Sequence, residues 1–136
     1  MEITSNLKGH IALTKTLTRA LELGYTPIIP SFDTRYDLIL DNSEKLIKVQ
    51  VKYANGKSTR STGSVRVKLS YETRTKKIYT YQTDEVDALV VYLPKVDRLC
   101  MIPSQLFVGK VALNIRLEKP KNNQKNKIIF ADDYFW

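Results

Sequence analysis

Cysteine is almost absent. Cys100 is the single cysteine in 136 residues, which excludes an intramolecular disulfide and a cysteine-based zinc site. Its neighbours Leu99, Met101 and Ile102 are apolar, so a buried core thiol is expected rather than a nucleophile. The one histidine, His10, is expected at the surface near the start of the first helix. No apolar run is long enough to span a membrane, and no signal-peptide pattern begins the chain. The expectation is no membrane partner and an intracellular, cytoplasmic, nucleoid-associated location. Acids are scarce relative to bases. Fourteen Asp or Glu face 22 Lys or Arg, giving a net charge of +8 and a pI near 9.6. That imbalance favours an acidic polymer, either nucleic acid or an anionic membrane surface. The membrane reading is the weaker, because no basic amphipathic helix is visible.

The apolar fraction of 43% is ordinary for a globular domain. Residues 1–136 read as a single domain without repeats or low-complexity tracts. Residues 8–23 read as a helix, with Ile11, Leu17 and Leu21 at helical spacing and Ala12, Leu13 and Ala20 thickening the stripe. Gly24 suits its C-terminal cap. Residues 25–29 are extended and closed by Pro30. Two strands follow, 36–40 and 47–52, joined by a short polar hairpin segment. Residues 64–70 alternate, with Val65, Val67 and Leu69 facing one way and Arg66 and Lys68 the other. Residues 88–93 are apolar throughout, the pattern of a central strand covered on both faces. Residues 98–102 return as its hairpin partner, Pro103 starts a short helix, and 111–117 alternates weakly as another strand. The aromatic C-terminal segment, 128–136, is expected to dock. A helix followed by a mixed set of strands gives an α/β or α+β domain with one central sheet.

Positive charge concentrates between Lys45 and Tyr81, where ten Lys or Arg meet one acid, Glu72. Tyr53, Tyr71, Tyr79 and Tyr81 lie in this stretch, but not with the alternation of an RNA-binding sheet. The strand 64–70 and its flanking loop suit a ribbon entering the major groove of duplex DNA. Lys57, Arg60, Arg66, Lys68, Arg74, Lys76 and Lys77 are the candidate DNA contacts. Lys119, Lys121, Lys125 and Lys127 form a second candidate phosphate-contacting loop. The DNA-contacting insertions are thus expected at about 54–81 and 116–127.

Chemistry enters with Asp37 and the run Gln50-Val51-Lys52. Period-two alternation puts Gln50 and Lys52 on one face of their strand and Val49 and Val51 on the other. Hydrolysis of a phosphodiester requires stabilised negative charge and an activated water, which a carboxylate-held Mg²⁺ supplies. Asp37 is the candidate ligand. Gln50 offers an amide oxygen or orients the attacking water, and the Val51 carbonyl completes the protein's share of the shell. Lys52 stabilises charge on the phosphate or positions the nucleophile. Asp37, Gln50 and Lys52 are therefore the candidate catalytic residues, and Asp37, Gln50 and Val51 the candidate metal ligands.

A family resemblance follows from ordered segments spread along nearly the whole chain. Lys8-Gly9-His10-Ile11-Ala12, Gly24-Tyr25, Arg35-Tyr36-Asp37-Leu38 and Val49-Gln50-Val51-Lys52-Tyr53 together resemble the PD-(D/E)xK nuclease superfamily. Within it they resemble the group I intron-encoded homing endonucleases. Asp87-Ala88-Leu89-Val90-Val91-Tyr92, Met101-Ile102-Pro103 and Leu117-Glu118-Lys119-Pro120-Lys121-Asn122-Asn123-Gln124 fit as well. The resemblance implies a restriction-endonuclease-like α/β core with a mixed central sheet flanked by helices. It also implies Mg²⁺-dependent cleavage of double-stranded DNA by a homo-oligomer, dimer or tetramer. The chain departs from the pattern twice. Gln50 stands where Glu is common, a change that homing members tolerate. Leu13 stands where the first helix commonly carries a glutamate. The site then holds one metal weakly, recruits an acid from elsewhere (Glu2 or a second subunit), or has lost turnover. Two alternatives to a homing nuclease stay open: an inactive sequence-specific DNA-binding protein on the same scaffold, and a Holliday junction resolvase.

Overall fold

The computed structural model describes residues 2–57, 63–118 and 128–136, without the side chains of residues 56 and 57. Helix α1 spans Ser5–Glu22. It starts three residues before the expected boundary, because the Thr4 hydroxyl accepts the Leu7 N–H at 3.2 Å and caps the first turn. Gly24, at φ +87°, takes the left-handed position that ends it. The buried face is Ala12, Thr16 and Ala20, at successive steps of four. Thr16 is tolerated there because its hydroxyl donates to the Ala12 carbonyl at 2.8 Å. Leu21, expected in the stripe, is 64% exposed. Small residues at the contact let the helix lie close on the sheet, and Ile11, Leu13 and Leu17 flank it.

The strands in chain order are β1 (Thr26–Ile28), β2 (Leu38–Asp41), β3 (Leu46–Tyr53), β4 (Gly56–Lys57), β5 (Ser64–Lys68) and β6 (Tyr71–Glu72). They continue as β7 (Ile78–Tyr79), β8 (Ala88–Leu93), β9 (Arg98–Pro103), β10 (Ala112–Arg116) and β11 (Ile129–Phe130). The central sheet has order β1-β2-β3-β8-β9 and is mixed: β3 and β8 run parallel, and the other neighbours antiparallel. The β2–β3 hairpin is closed by side chains. Asp41 Oδ1 accepts the Ser43 N–H at 2.8 Å, and Asn42 Oδ1 accepts those of Glu44 and Lys45. Strand β8 is buried at every residue, as its apolar run implies.

The sheet's two faces are covered differently. Leu38, Leu40, Val49, Val51, Ala88, Val90 and Tyr92 pack toward α1. On the other face Leu89, Val91, Leu93, Cys100 and Ile102 pack under a second sheet of order β11-β10-β5-β4. Among the described residues α1 is the only α-helix, with two short 3-10 turns at Ser104–Leu106 and Ala131–Asp133. A small sheet thus stands where a further flanking helix was expected. It covers only half of the central sheet: no residue of β1, β2 or β3 belongs to the core beneath it. Among the described residues the same face of β2 and β3 is therefore not sealed by that sheet and is only half-buried.

Strands β6 and β7 form a separate two-stranded ribbon, with the Tyr71 and Tyr79 rings stacked at 5.2 Å. The C-terminus docks on its own chain. The Trp136 N–H donates to the Leu99 carbonyl at 3.0 Å, and its ring lies 6.0 Å from Tyr25.

Candidate active site

Asp37, Gln50 and Lys52 meet on the half of the central sheet that the second sheet does not seal. Val49 and Val51 face the helix, so Gln50 and Lys52 face the other way, as the alternation requires. Asp37 sits one residue before β2. Its backbone N–H donates to the Val49 carbonyl at 2.8 Å, and its Oδ2 accepts the Val51 N–H at 2.8 Å. Those two bonds fix the carboxylate on the strand that carries Gln50 and Lys52. The Val51 backbone thus acts here through its N–H, as an anchor for Asp37. Among the described residues the second oxygen of Asp37 and the side-chain amide of Gln50 make no hydrogen bond.

The electrostatics are those of a half-buried charged site. Burial raises the Asp37 pKa, opposed by the Val51 N–H and by the Lys52 charge. Burial lowers the Lys52 pKa; Asp37 opposes this, while the positive charges of Arg35 and Lys68 add to it. Asp37 and Lys52 sense each other, yet no ion pair within 4.0 Å joins them among the described residues. The carboxylate is therefore not locked to its lysine.

The structure brings in four residues that the sequence reading did not assign. The Arg35 guanidinium lies over the rings of Tyr71 and Tyr81, 4.8 and 4.5 Å from their centroids. Its Nε is 2.7 Å from Glu85 Oε2. Tyr81 also lies 5.9 Å below Lys52 Nζ, and burial pushes its phenol up to about 12, so it stays neutral. Arg35 was findable, two residues upstream of Asp37; Tyr71, Tyr81 and Glu85 arrive from distant segments. An open cleft of about 610 Å³ leads away from the site, lined by Lys52, Tyr53, Asn55, Arg66, Lys68 and Ser70. The cationic face of β5 thus borders Lys52 directly. Arg74, Lys76 and Lys77 are exposed in the turn of the β6–β7 ribbon. Arg60, Lys119, Lys121, Lys125 and Lys127 lie outside the described residues, as does the side chain of Lys57.

Leu13 packs in the core on the helix side of the sheet, opposite the face of Gln50 and Lys52. His10 is exposed. Among the described residues no three His, Cys, Asp or Glu side chains gather as a metal cluster. The donors that share this face are hard oxygens: the carboxylate oxygen of Asp37 and the side-chain amide of Gln50 that make no hydrogen bond among the described residues. They fit a divalent cation with a small protein share of ligands, the rest being water or phosphate.

No helix of the described residues is long and apolar enough to cross a membrane. Comparison with known proteins agrees with this geometry. Among solved structures the bacterial homing endonuclease I-Ssp6803I superposes with a TM-score of 0.78 at 26% sequence identity, covering 97% of this chain and 88% of that one. MepB gives a TM-score of 0.43 at 14% identity, over 84% of this chain and 87% of that one. No curated protein matches in a sequence search. The PD-(D/E)XK endonuclease family matches over residues 3–136. That span takes in the mixed sheet, the anchored Asp37 and the Gln50–Lys52 strand, and the chain belongs to the PD-(D/E)XK endonuclease family.

Proposed function

We propose that the protein is a site-specific endonuclease of homing type that hydrolyses phosphodiester bonds of double-stranded DNA with Mg²⁺. The observation that carries this reading is the continuity between two features. Asp37, Gln50 and Lys52 share the half of the sheet that the second sheet does not seal, and the cleft beside Lys52 is walled by Arg66 and Lys68. Chemistry and polyanion binding thus occupy one surface. The likeness to a bacterial homing endonuclease supports the same reading.

Each residue has a part. Asp37 would hold the cation through its carboxylate, which the Val51 N–H keeps in place. Gln50 contributes an amide oxygen or orients the attacking water, and the Val51 carbonyl is the third candidate ligand. When bound, Mg²⁺ polarises the phosphate and acidifies water. Lys52 places positive charge on the phosphate as negative charge develops. Arg66 and Lys68, with the segments 54–81 and 116–127, track the DNA backbone and grooves. A homo-oligomer, dimer or tetramer, presents one such site to each strand, and the protein acts within the cell, at the nucleoid.

The test is incubation with a duplex DNA library, with Mg²⁺ and with EDTA, followed by sequencing of the ends produced. Metal-dependent cuts at one long recurring sequence are expected. Lys52→Ala should abolish those cuts while leaving DNA affinity nearly intact; retained cleavage removes Lys52 from the chemistry. Selective binding without cuts would favour a non-cleaving DNA reader, the reading that the missing helix acid at Leu13 supports. Preferential cutting of four-way junctions of any sequence would favour a resolvase.

A further inference from the structure

We propose that Arg35 is a second phosphate-binding cation of the active site, gripping the cleaved strand beside Lys52; this rests on the nuclease reading above. Three observations converge on it. First, its place: Arg35 and Lys52 lie over the same Tyr81 ring, at 4.5 and 5.9 Å from its centroid. The Arg35 charge is felt at Lys52. Second, its preorganisation: the guanidinium carbon lies 4.8 and 4.5 Å from the ring centroids of Tyr71 and Tyr81, and two aromatic contacts restrict its movement. Third, its incomplete pairing. Nε and Nη2 are buried, and neither makes a hydrogen bond of good geometry among the described residues, although Nε is 2.7 Å from Glu85 Oε2. Native structures rarely leave such donors unmatched, and those that do commonly have a functional reason. The side chain keeps 29% of its surface open; Nε and Nη2 are buried and not part of it, so the donor that a phosphate can meet is the remaining nitrogen, Nη1.

Glu85 decides between two roles for this cluster. It is an acid close to the site, and so a candidate to replace the acid missing at Leu13. Its Oε1, however, accepts the Gln82 N–H at 3.0 Å, and its Oε2 faces Arg35. Both oxygens are engaged in bracing the turn and the guanidinium. Glu85 is therefore a positioning residue for Arg35. A guanidinium braced by two rings and Glu85, with Nη1 left over, offers a phosphate a more directed donor than a lysine does. Arg35 then orients the phosphate, while Lys52 meets the charge that develops on it.

The experiment uses a duplex cut by the wild-type protein, and the same duplex with a neutral methylphosphonate at single linkages around the cut. Single-turnover cleavage in Mg²⁺ and affinity in Ca²⁺ are measured for wild type, Arg35→Ala, Arg35→Lys and Lys52→Ala, with thermal melting to verify folding. Arg35→Ala should cleave about 100-fold more slowly, the scale of losing one preorganised donor. Arg35→Lys should recover only part of that rate. One methylphosphonate linkage should slow the wild type while leaving Arg35→Ala no slower than it already is, a coupling that a merely structural role would not produce. Folded Arg35→Ala cutting at the wild-type rate while Lys52→Ala is inactive would overturn the inference and leave the nuclease reading intact. Losses from Arg35→Ala and from every methylphosphonate that simply multiply would also overturn it. No cleavage by the wild type would remove the nuclease reading, and this inference with it.

Discussion

Replacing both charges of the motif should make the protein more stable as it becomes inactive. Asp37→Asn with Lys52→Met keeps the shape of each side chain and removes its charge. In the wild type both charges are held in a half-buried site against their solvation preference, which is why burial leads both pKa shifts. Their mutual attraction offsets part of this, without a close ion pair. Repulsion adds to the cost. Lys52 Nζ and the Arg35 guanidinium sit over one ring, so they are at most about 10 Å apart; at an effective dielectric near 20 that is roughly 1.6 kcal/mol or more. The pairing of Arg35 with Glu85 screens part of it. Removing partly buried opposite charges together is commonly neutral to stabilising. A gain of about 1 to 2 kcal/mol is expected at pH 7, a rise in Tm of roughly 3 to 7 °C for a chain of this size.

The pH dependence gives the reasoning a second handle. Asp37 has a raised folded-state pKa, so its unfavourable contribution is absent below its unfolded value and complete once pH exceeds the folded value. Lys52 has a lowered folded-state pKa, so its contribution is complete below that value and gone above the ordinary lysine range. The advantage of the double variant over wild type should therefore peak near neutrality. It should shrink on acidification through the carboxylate range and again toward pH 10. Urea unfolding followed by circular dichroism at pH 3.5, 7 and 10 measures this. A natively folded double variant that is less stable than wild type at pH 7 would refute the account of the site as a charged, under-solvated cluster.

Other outcomes follow from the same packing and charge. Arg66→Ala and Lys68→Ala should each weaken binding to duplex and reduce the slope of log affinity against log salt by about 1, if each meets a phosphate. An unchanged slope with altered sequence preference would instead put Arg66 on a base edge. Phe107 is fully buried under Tyr81, their rings 6.4 Å apart. Phe107→Ala should cost about 3 to 5 kcal/mol in chemical denaturation; a cost under 1 kcal/mol would mean that the second core does not anchor the fold.

The central sheet was legible because its signals are local. Alternation in β3 put Gln50 and Lys52 on one face, and the unbroken apolar run of β8 marked a strand covered twice. The helix boundary was less so: Thr4 caps only because the chain turns there, and Leu21 has the spacing of a stripe whose true centre is Ala12, Thr16 and Ala20. The second sheet rests on pairing between β5 and β10, which are far apart in sequence, so no local pattern reports it. The cationic face of β5 was visible as alternation, but its place beside Lys52 was not. The Arg35 cluster is the least legible feature, since its members come from the segment before β2, from β6 and from the turn before β8.

Strand β5 explains why the site is where it is. Val65 and Val67 seal the core over β8 and β9, and the same alternation forces Arg66 and Lys68 outward, into the cleft that reaches Lys52. One strand thus closes half of the sheet and charges the border of the other half. The charge balance there is lopsided: Arg35, Lys52 and Lys68 stand against Asp37 and Glu85, and Glu85 is committed to Arg35. Left alone, that arrangement stores repulsion and under-solvated charge. A phosphate between the lysine and arginine would relieve the first, and a divalent cation on Asp37 would relieve the second. A site whose unfavourable terms are cancelled by its substrate and cofactor is strained in the direction of binding. Duplex and Mg²⁺ should accordingly stabilise the wild type more than the Asp37→Asn, Lys52→Met variant, reversing the order of stability expected without ligand.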